Sequence, residues 1–258
     1  MTIQSTLFLS ALFALTAAGI YAYIGWRLSR RTVASSQAKL AWAAFTVWWY
    51  GVAATTLIGG LLDLFGALGL TLLPLFVTAT YINLLVLCLA LWGLLYYLIY
   101  LFTGKSQSLV PLAIFYVIYY ALLVYYITAS VPESIQLEPW NASLEYQAPQ
   151  TGPFFGLLII LLLLPQILGG LAYFTLYFQM TEATQKYRIL LVSWSIIIWF
   201  LTPVFALVGG LSEQDWWQIA SRLIGLTAAL TILMAYQPPG WLKQRYGVIS
   251  LQEETQKL

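Results

Sequence analysis

Histidine is absent from this 258-residue chain, and cysteine occurs once. Without histidine the chain cannot form histidine-ligated haem, the histidine-bound zinc of membrane hydrolases or a histidine proton relay. The single Cys88 excludes an intrachain disulfide and a cysteine metal cluster, and its apolar surroundings predict a small buried side chain. We therefore expect no cofactor and no metal.

Charge is also scarce, since only 8% of the residues are charged, whereas 61% are hydrophobic and 16% aromatic. A soluble domain carries about a quarter charged residues. The mean hydropathy is +0.84, and the net charge of +2 is too small to suggest a nucleic-acid partner. These values predict an integral membrane protein whose main partner is the lipid bilayer.

Apolar runs between charged or turn-rich breaks predict seven helices, and a bilayer-spanning helix needs about 20 predominantly apolar residues. Their approximate limits are 5–27, 40–68, 71–103, 109–130, 153–180, 188–210 and 215–236. The predicted fold is an all-α bundle of seven transmembrane helices within residues 1–237. We expect 131–152 to form an outer loop and 238–258 a cytoplasmic amphipathic tail.

Basic and acidic residues separate to opposite sides of this predicted bundle. One side holds ten of the eleven basic residues, namely Arg27, Arg30, Arg31, Lys39, Lys105, Lys186, Arg188, Lys243, Arg245 and Lys257. The loops of the other side hold Glu133, Glu138, Glu145, Glu213 and Asp215. Because basic loops stay in the cytoplasm, the N-terminus is predicted to lie outside and the C-terminus inside. We expect a multi-pass protein of a prokaryotic plasma membrane.

Two charged residues fall inside the predicted spans, and such residues are functional candidates because burying charge in hydrocarbon is unfavourable. Asp63 lies near the outer end of span two, and Arg222 lies at comparable depth in span seven. Helical spacing places Arg222 on one face with Ser221 and Gly225, a small-residue face that suits close helix packing. Both charged side chains are therefore expected to point into the bundle.

Neutral polar and aromatic side chains complete a candidate cavity that opens to the outside. The candidate ligand-binding residues are Asp63, Asn83, Gln166, Trp199, Thr202, Gln218 and Arg222, with Asn83, Gln166 and Trp199 nearer the midplane. Two alternatives stay open: the charged pair only locks span two to span seven, or its side chains extend to the outer interface. Deep aromatic residues, including Trp48, Trp49, Trp194, Tyr116, Tyr119 and Tyr120, either pack the core or line a slot for a planar or isoprenoid ligand.

Three segments carry a resemblance to a known class of membrane protein. They are the basic first cytoplasmic loop, the end of span three, YYLIYLFTGK, and the exit from span seven, PPGWLKQRYG. The chain resembles the prokaryotic seven-helix sensor domains that precede histidine kinases or cyclases. Because no kinase, cyclase or receiver domain follows here, the resemblance implies a stand-alone sensor-like or receptor-like subunit that signals through a protein partner.

Three functions follow as expectations. The first is a receptor-like or sensor-like protein that binds a small or lipophilic ligand in the outer half of the bundle. The second is a facilitative small-solute transporter with the orientation of the SWEET and PQ-loop proteins, whose Pro-Gln pair is matched by Pro165-Gln166. The third is a structural subunit of a membrane complex. An enzyme is not expected, because the membrane interior offers one carboxylate and one arginine for chemistry.

Overall fold

The computed structural model describes residues 2–31, 36–104, 109–147, 153–211 and 216–250. Within these ranges the chain is mostly helical, as the sequence predicts, and it also contains one β-hairpin. The elements are α1 (Ile3–Ser29), α2 (Ser36–Ala67), α3 (Leu73–Thr103), α4 (Leu109–Ala129), β1 (Pro132–Glu138), β2 (Asn141–Tyr146), α5 (Pro153–Gln179), α6 (Ala183–Leu211), α7 (Trp216–Tyr236) and α8 (Gly240–Tyr246).

Several of these helices have the length and composition of membrane spans. In the described part of the chain, five helices qualify: Ile3–Ser29, Ala38–Ala67, Leu73–Thr103, Val110–Ala129 and Trp216–Tyr236. The chain is therefore an integral membrane protein, as its composition predicts. Helices α5 and α6 are 27 and 29 residues long, but only part of their side chains is described. The count of seven spans and the orientation stay predictions.

Six of the long helices pack side by side as a closed ring. Helix α1 contacts α2 and α7, α2 continues to α3, α3 to α5, α5 to α6, and α6 returns to α7. Helix α4 lies outside this ring and packs against α3. Much of α4 is accordingly exposed, including Val117 and Tyr125, so this helix offers its outer face to lipid.

Aromatic side chains fill the centre of the ring. Trp48, Trp49 and Tyr21 are almost fully buried, and the rings of Tyr21 and Trp49 stack with their centroids 5.9 Å apart. Trp48 meets Trp199 of α6 edge to face at 5.3 Å. Trp48, Trp49 and Trp199 thus contribute to core packing, whereas Trp194 is 47% exposed and points out of the core.

Glycines allow α2 and α3 to approach very closely. A Cβ atom added to Gly93 would lie 2.5 Å from the carbonyl oxygen of Ala44, and one added to Gly51 would collide with the side chain of Ala90. Small residues at such positions let two backbones pack in direct contact, which is how helices associate where water supplies no hydrophobic force. The α2–α3 contact therefore depends on glycine, which has no side chain, at Gly51 and Gly93.

The hairpin stands where the sequence predicts only an outer loop, and it corrects the all-α expectation. Strands β1 and β2 pair antiparallel, with Leu137 opposite Ala142 and Ile135 opposite Leu144. These four apolar residues contribute to a small cluster together with Leu7 of α1. The alternation of apolar and polar residues is short, but it is sufficient to form the hairpin because the apolar face packs on the helix ends.

The two ends of the bundle differ in charge. At the hairpin end, β1 and β2 lie against the beginning of α1 and the last turns of α2. At the opposite end, here called the basic end, α8 follows α7 and carries Lys243 and Arg245. The chain beyond α8 returns to the bundle, since Val248 is buried and Arg188 of α6 donates to the carbonyl oxygen of Ile249 at 3.1 Å.

Candidate ligand-binding site

An ion pair joins Asp63 of α2 to Arg222 of α7 at the hairpin end. The distance from Arg222 Nη2 to Asp63 Oδ2 is 2.8 Å, and the side chains are 21% and 1% exposed, respectively. Ser10 of α1 lies beside the pair, with Oγ 2.7 Å from Asp63 Oδ2 and 2.8 Å from the carbonyl oxygen of Trp140. A hydroxyl has a single proton, so Ser10 donates to one of these acceptors at a time.

The tip of the hairpin completes the hydrogen bonds of both charged groups. Arg222 donates through Nε and Nη2 to the carbonyl oxygen of Trp140, and through Nη2 to Asn141 Oδ1, each at 3.2 Å. The backbone amide of Ala142 donates to Asp63 Oδ1 at 2.9 Å. Because two residues of the tip accept from the arginine and a third donates to the carboxylate, the tip is held by charge-assisted hydrogen bonds.

Local backbone geometry explains how the tip reaches the ion pair. Trp140 has a φ of 74°, a left-handed conformation that is rare for a residue other than glycine. Its ring stacks on Phe13 of α1 with centroids 6.4 Å apart. On α2, a Cβ atom added to Gly66 would come within 3.0 Å of both Ala142 and Leu137, so the glycine lets the hairpin lie flat on the helix.

A cavity of about 210 Å³, here called the outer cavity because it lies at the hairpin end that the sequence predicts to be outside, opens between the polar face of the hairpin and α7. Its polar lining includes Gln136, Glu138, Asn141, Ser143, Gln218 and Arg222. Gln218 Nε2 donates to Glu138 at 2.5 Å, whereas Gln218 Oε1 is buried and has no hydrogen-bond partner within the described residues. Within the described residues Arg222 donates hydrogen bonds through Nε and Nη2, and none through Nη1.

A second, smaller cavity of about 40 Å³ lies directly below the first. Arg222 and Ser221 border both cavities, and Tyr21, Trp199 and Thr202 line the lower one. A space of this size holds no more than about three water molecules. The side chain of Arg222 therefore separates an open polar cavity from a narrow space above the aromatic core.

The structure brings together some of the predicted site residues and separates others. Asp63, Gln218 and Arg222 meet at the hairpin end, and Trp199 and Thr202 line the lower cavity. Asn83 lies on α3 away from these cavities, with a buried amide oxygen that has no hydrogen-bond partner among the described residues. Gln166 belongs to α5, but its side chain lies outside the described residues.

Sequence reasoning missed several contributors to the site, including Glu138 and Asn141 of the hairpin. Ser10 is a polar residue of span one at the same end as Asp63, so its depth in the span could have indicated that it lies near Asp63. The carbonyl oxygen of Trp140 and the amide of Ala142 gave no signal, because any residue supplies these backbone groups. Only a folded hairpin brings them to the charged pair.

No family model, curated protein or solved structure matches this chain. The resemblance to seven-helix sensor domains therefore stays a prediction, since a fold by itself does not specify a function. In the ranges that the structure describes, no three cysteine or carboxylate side chains are grouped to hold a metal ion. The groups present suit a ligand held by hydrogen bonds and charge.

We expect Ser10→Ala to lower the free energy of unfolding by about 1–2 kcal/mol, because it leaves acceptors at Asp63 and Trp140 with one donor fewer. Thermal unfolding in detergent measures the change. Thr16→Val on the same helix is the control, since the Thr16 hydroxyl is exposed and bonds only its own helix at Leu12. Equal effects of the two substitutions would contradict a special role for Ser10.

Proposed function

We propose that this chain is a sensor-like or receptor-like protein with seven membrane-spanning helices that binds a small polar solute in the outer cavity. The observation that supports it is the position of Arg222, which lines the cavity while it holds both Asp63 and the hairpin tip. A solute that engages this arginine changes contacts made by α2, α7 and the hairpin together. One binding event thereby reaches several elements of the bundle.

The orientation in this proposal has the hairpin end outside and the basic end in the cytoplasm. Glu133, Glu138 and Glu145 belong to the hairpin, whereas Lys243 and Arg245 belong to α8 at the other end. Retention of basic segments in the cytoplasm favours this arrangement. Helices α5 and α6, at 27 and 29 residues, are long enough to add two spans to the five.

Charge and size in the cavity favour a small zwitterion such as an amino acid. Arg222 and Asp63 neutralise each other, so Glu138 leaves the site with an excess negative charge. A ligand carboxylate fits the free Nη1 of Arg222, and a ligand ammonium fits Glu138 and the unpartnered Gln218 Oε1. Drug-sized ligands occupy about 300–1,000 Å³, so a cavity of about 210 Å³ suits a smaller molecule.

The signal in this proposal is a displacement of the guanidinium group towards a ligand that binds at its Nη1 atom. A ligand carboxylate bound to Arg222 weakens its hydrogen bonds to Trp140 and Asn141, and the hairpin tip then loses part of its anchor. The helix positions shift only as far as the ligand prefers the released state. Because α1, α2 and α7 extend to the basic end, a cytoplasmic or membrane partner there can register the shift.

The transporter and structural alternatives make different use of the same residues. A transport path would have to continue below Arg222, where Tyr21, Trp48 and Trp49 pack tightly. This packing favours a receptor over a transporter. A purely structural role for the ion pair requires no ligand at all, so direct binding measurements separate it from the proposed function.

Glu138→Gln is expected to weaken binding of an amino acid at least about tenfold, because it removes a charge and keeps an acceptor for Gln218. The protein in nanodiscs is titrated with the common amino acids, and with ethylamine and propionate as alanine analogues that lack one charge. Glu145→Gln is the matched control, since Glu145 is an exposed hairpin residue that bonds Ser134. The affinity of this control variant is expected to stay within about twofold of the wild-type affinity.

Two outcomes would overturn the proposal. The first is that wild-type protein binds no amino acid at millimolar concentration. The second is that Glu138→Gln and Glu145→Gln bind equally. Flux of an amino acid through proteoliposomes without any lasting binding would point to the transporter instead.

A further inference from the structure

A groove lies at the basic end of the bundle, where α5 and α7 end and α6 begins. Its volume is about 540 Å³, within the range of about 300–1,000 Å³ that ligand pockets commonly have. Its lining includes Tyr177 of α5, Lys186 of α6, Met234 of α7, Trp241 of α8 and the buried Val248 that follows α8. The groove, here called the basic-end groove, therefore joins four helices.

The basic-end groove lies at the depth of the membrane–water interface. Helix α7, which has the length and composition of a span, ends at Tyr236, and α8 begins at Gly240. On α8, Trp241 and Tyr246 line the groove and are 63% and 53% exposed. Tryptophan and tyrosine favour the interface because each combines an apolar ring with a polar group. The groove thus opens where lipid headgroups meet acyl chains.

The groove combines an apolar wall with a cationic group. Leu190 and Leu191 of α6 contribute to the wall, and the accessible lining includes polar as well as apolar atoms. Lys186 is half-buried in this lining, with Nζ 5.8 Å from the centre of the Tyr177 ring. Although Glu182 precedes it by one turn, Lys186 forms no ion pair in the part of the chain that the structure describes. Its ammonium group is therefore available to an anion.

The charges around the groove favour an anionic ligand. Helix α8 carries Lys243 and Arg245 in its last turn, and Arg188 of α6 lies one half-turn beyond Lys186. Among the described residues from 153 to 250, one carboxylate side chain is present, that of the exposed Glu182. Basic side chains near a membrane surface attract anionic lipids. Charge and apolar surface together therefore suit an anion with an apolar tail.

We propose that the basic-end groove binds an anionic phospholipid such as phosphatidylglycerol. The phosphate pairs with Lys186, because an ammonium group and a phosphate form charge-assisted hydrogen bonds. One acyl chain lies along the wall that includes Leu190 and Leu191, an apolar surface that a free phosphate would leave uncovered. The bound lipid contacts α6 and α8 together and so holds α8 against the bundle.

This inference does not depend on the proposed function. The basic-end groove belongs to α5, α6, α8 and the end of α7, whereas the outer cavity lies at the hairpin end. Binding of an amino acid and binding of a lipid are measured with different ligands and different variants. Failure of one leaves the other unaffected.

The test measures lipid binding to the full chain in detergent by native mass spectrometry. We expect one molecule of dioleoylphosphatidylglycerol to bind about fivefold more tightly than dioleoylphosphatidylcholine, which carries no net charge. Lys186→Gln is expected to abolish this preference and to leave the affinity for phosphatidylcholine unchanged, which also shows that the variant is folded. Lys39→Gln is the matched control, since Lys39 is an exposed lysine at the same end and outside the groove.

A second pair of variants tests the apolar wall. Trp241→Ala is expected to weaken binding of both lipids by a similar factor, about threefold or more, because it removes an apolar surface and no charge. Trp26→Ala is the control, since Trp26 is partly exposed at the same end and lies outside the groove. Glycerol 1-phosphate has the phosphate without acyl chains, so at millimolar concentration it should not displace phosphatidylglycerol.

Four results would overturn the inference. The first is equal binding of phosphatidylglycerol by Lys186→Gln and Lys39→Gln, and the second is displacement of the lipid by glycerol 1-phosphate, which would indicate a site for a soluble anion. The third concerns the chain's own acidic segment, residues 251–258, which lies outside the described residues. Glu253→Gln combined with Glu254→Gln should leave the affinity unchanged, and a rise of about fivefold or more would assign the groove to this segment. The fourth is a lipid-free dimer in the same spectra, which would assign the groove to a second copy of the chain.

Discussion

Asp63→Ala is expected to lower the free energy of unfolding by about 3–5 kcal/mol, the largest effect predicted for this chain. The substitution removes the counter-charge of Arg222 and leaves that guanidinium partly buried without compensation. It also removes the acceptor for the Ser10 hydroxyl and for the backbone amide of Ala142. Three elements, α1, α7 and the hairpin, lose a contact through one side chain.

Cys88 provides the measurement, because it is the one cysteine of the chain and is 3% exposed. A thiol-reactive fluorophore reports unfolding as the temperature rises. Glu145→Ala is the control, since this carboxylate is exposed on the hairpin and its loss should change stability by less than about 0.5 kcal/mol. A midpoint for Asp63→Ala equal to that of the control would show that the ion pair adds nothing.

The double variant Asp63→Leu with Arg222→Met separates a structural role from a ligand role. Replacement of a buried ion pair by apolar residues of similar volume is often neutral for stability. We therefore expect the double variant to recover much of the stability lost in Asp63→Ala. Amino-acid binding should not recover, because the arginine is needed in the outer cavity. Recovery of both properties would contradict the proposed site.

Gly93→Ala is expected to have the second largest effect, a loss of about 3 kcal/mol from overpacking. The added methyl would lie 2.5 Å from the carbonyl oxygen of Ala44, so the α2 and α3 backbones have to separate. A side-chain rotation cannot relieve this clash, because the neighbour is backbone. The same thiol assay measures the loss.

Gly59→Ala is the matched control for that prediction. Gly59 also lies inside α2, yet apart from its chain neighbours and the backbone of its own helix no described atom comes within 4 Å of a Cβ added there. Alanine in a helix is favoured over glycine by about 0.5–1 kcal/mol, so this variant should be slightly more stable than the wild type. If Gly93→Ala were equally stable, the close approach of α2 and α3 would not be needed for folding.

Particular residues show how far the sequence could be interpreted. Depth and helical spacing correctly placed Asp63 and Arg222 inside the bundle, and the structure answers the open question by pairing them. The same reasoning grouped Asn83 with this site, but α3 carries it elsewhere. Periodicity tells which residues of a helix share a face, and it does not tell which helix that face meets.

The hairpin is the clearest case of a feature that the sequence did not predict. Its strands are short, and a two-stranded hairpin by itself is at best marginally stable in water. Packing of Leu137 and Ala142 on Gly66, and hydrogen bonds from the tip to the ion pair, make this conformation favourable. These contacts exist only once the helices have assembled.

The sequence by itself determined that this protein lives in a membrane and is built from long helices, because hydrocarbon requires apolar side chains and internally satisfied backbone groups. It also determined which charges are unusual, since few charges fall within apolar runs. Only the tertiary structure decided that Arg222 donates to the backbone carbonyl of Trp140, and that the Tyr116 hydroxyl has no hydrogen-bond partner among the described residues. Both facts depend on which elements become neighbours, and neighbours are selected by packing among all helices at once.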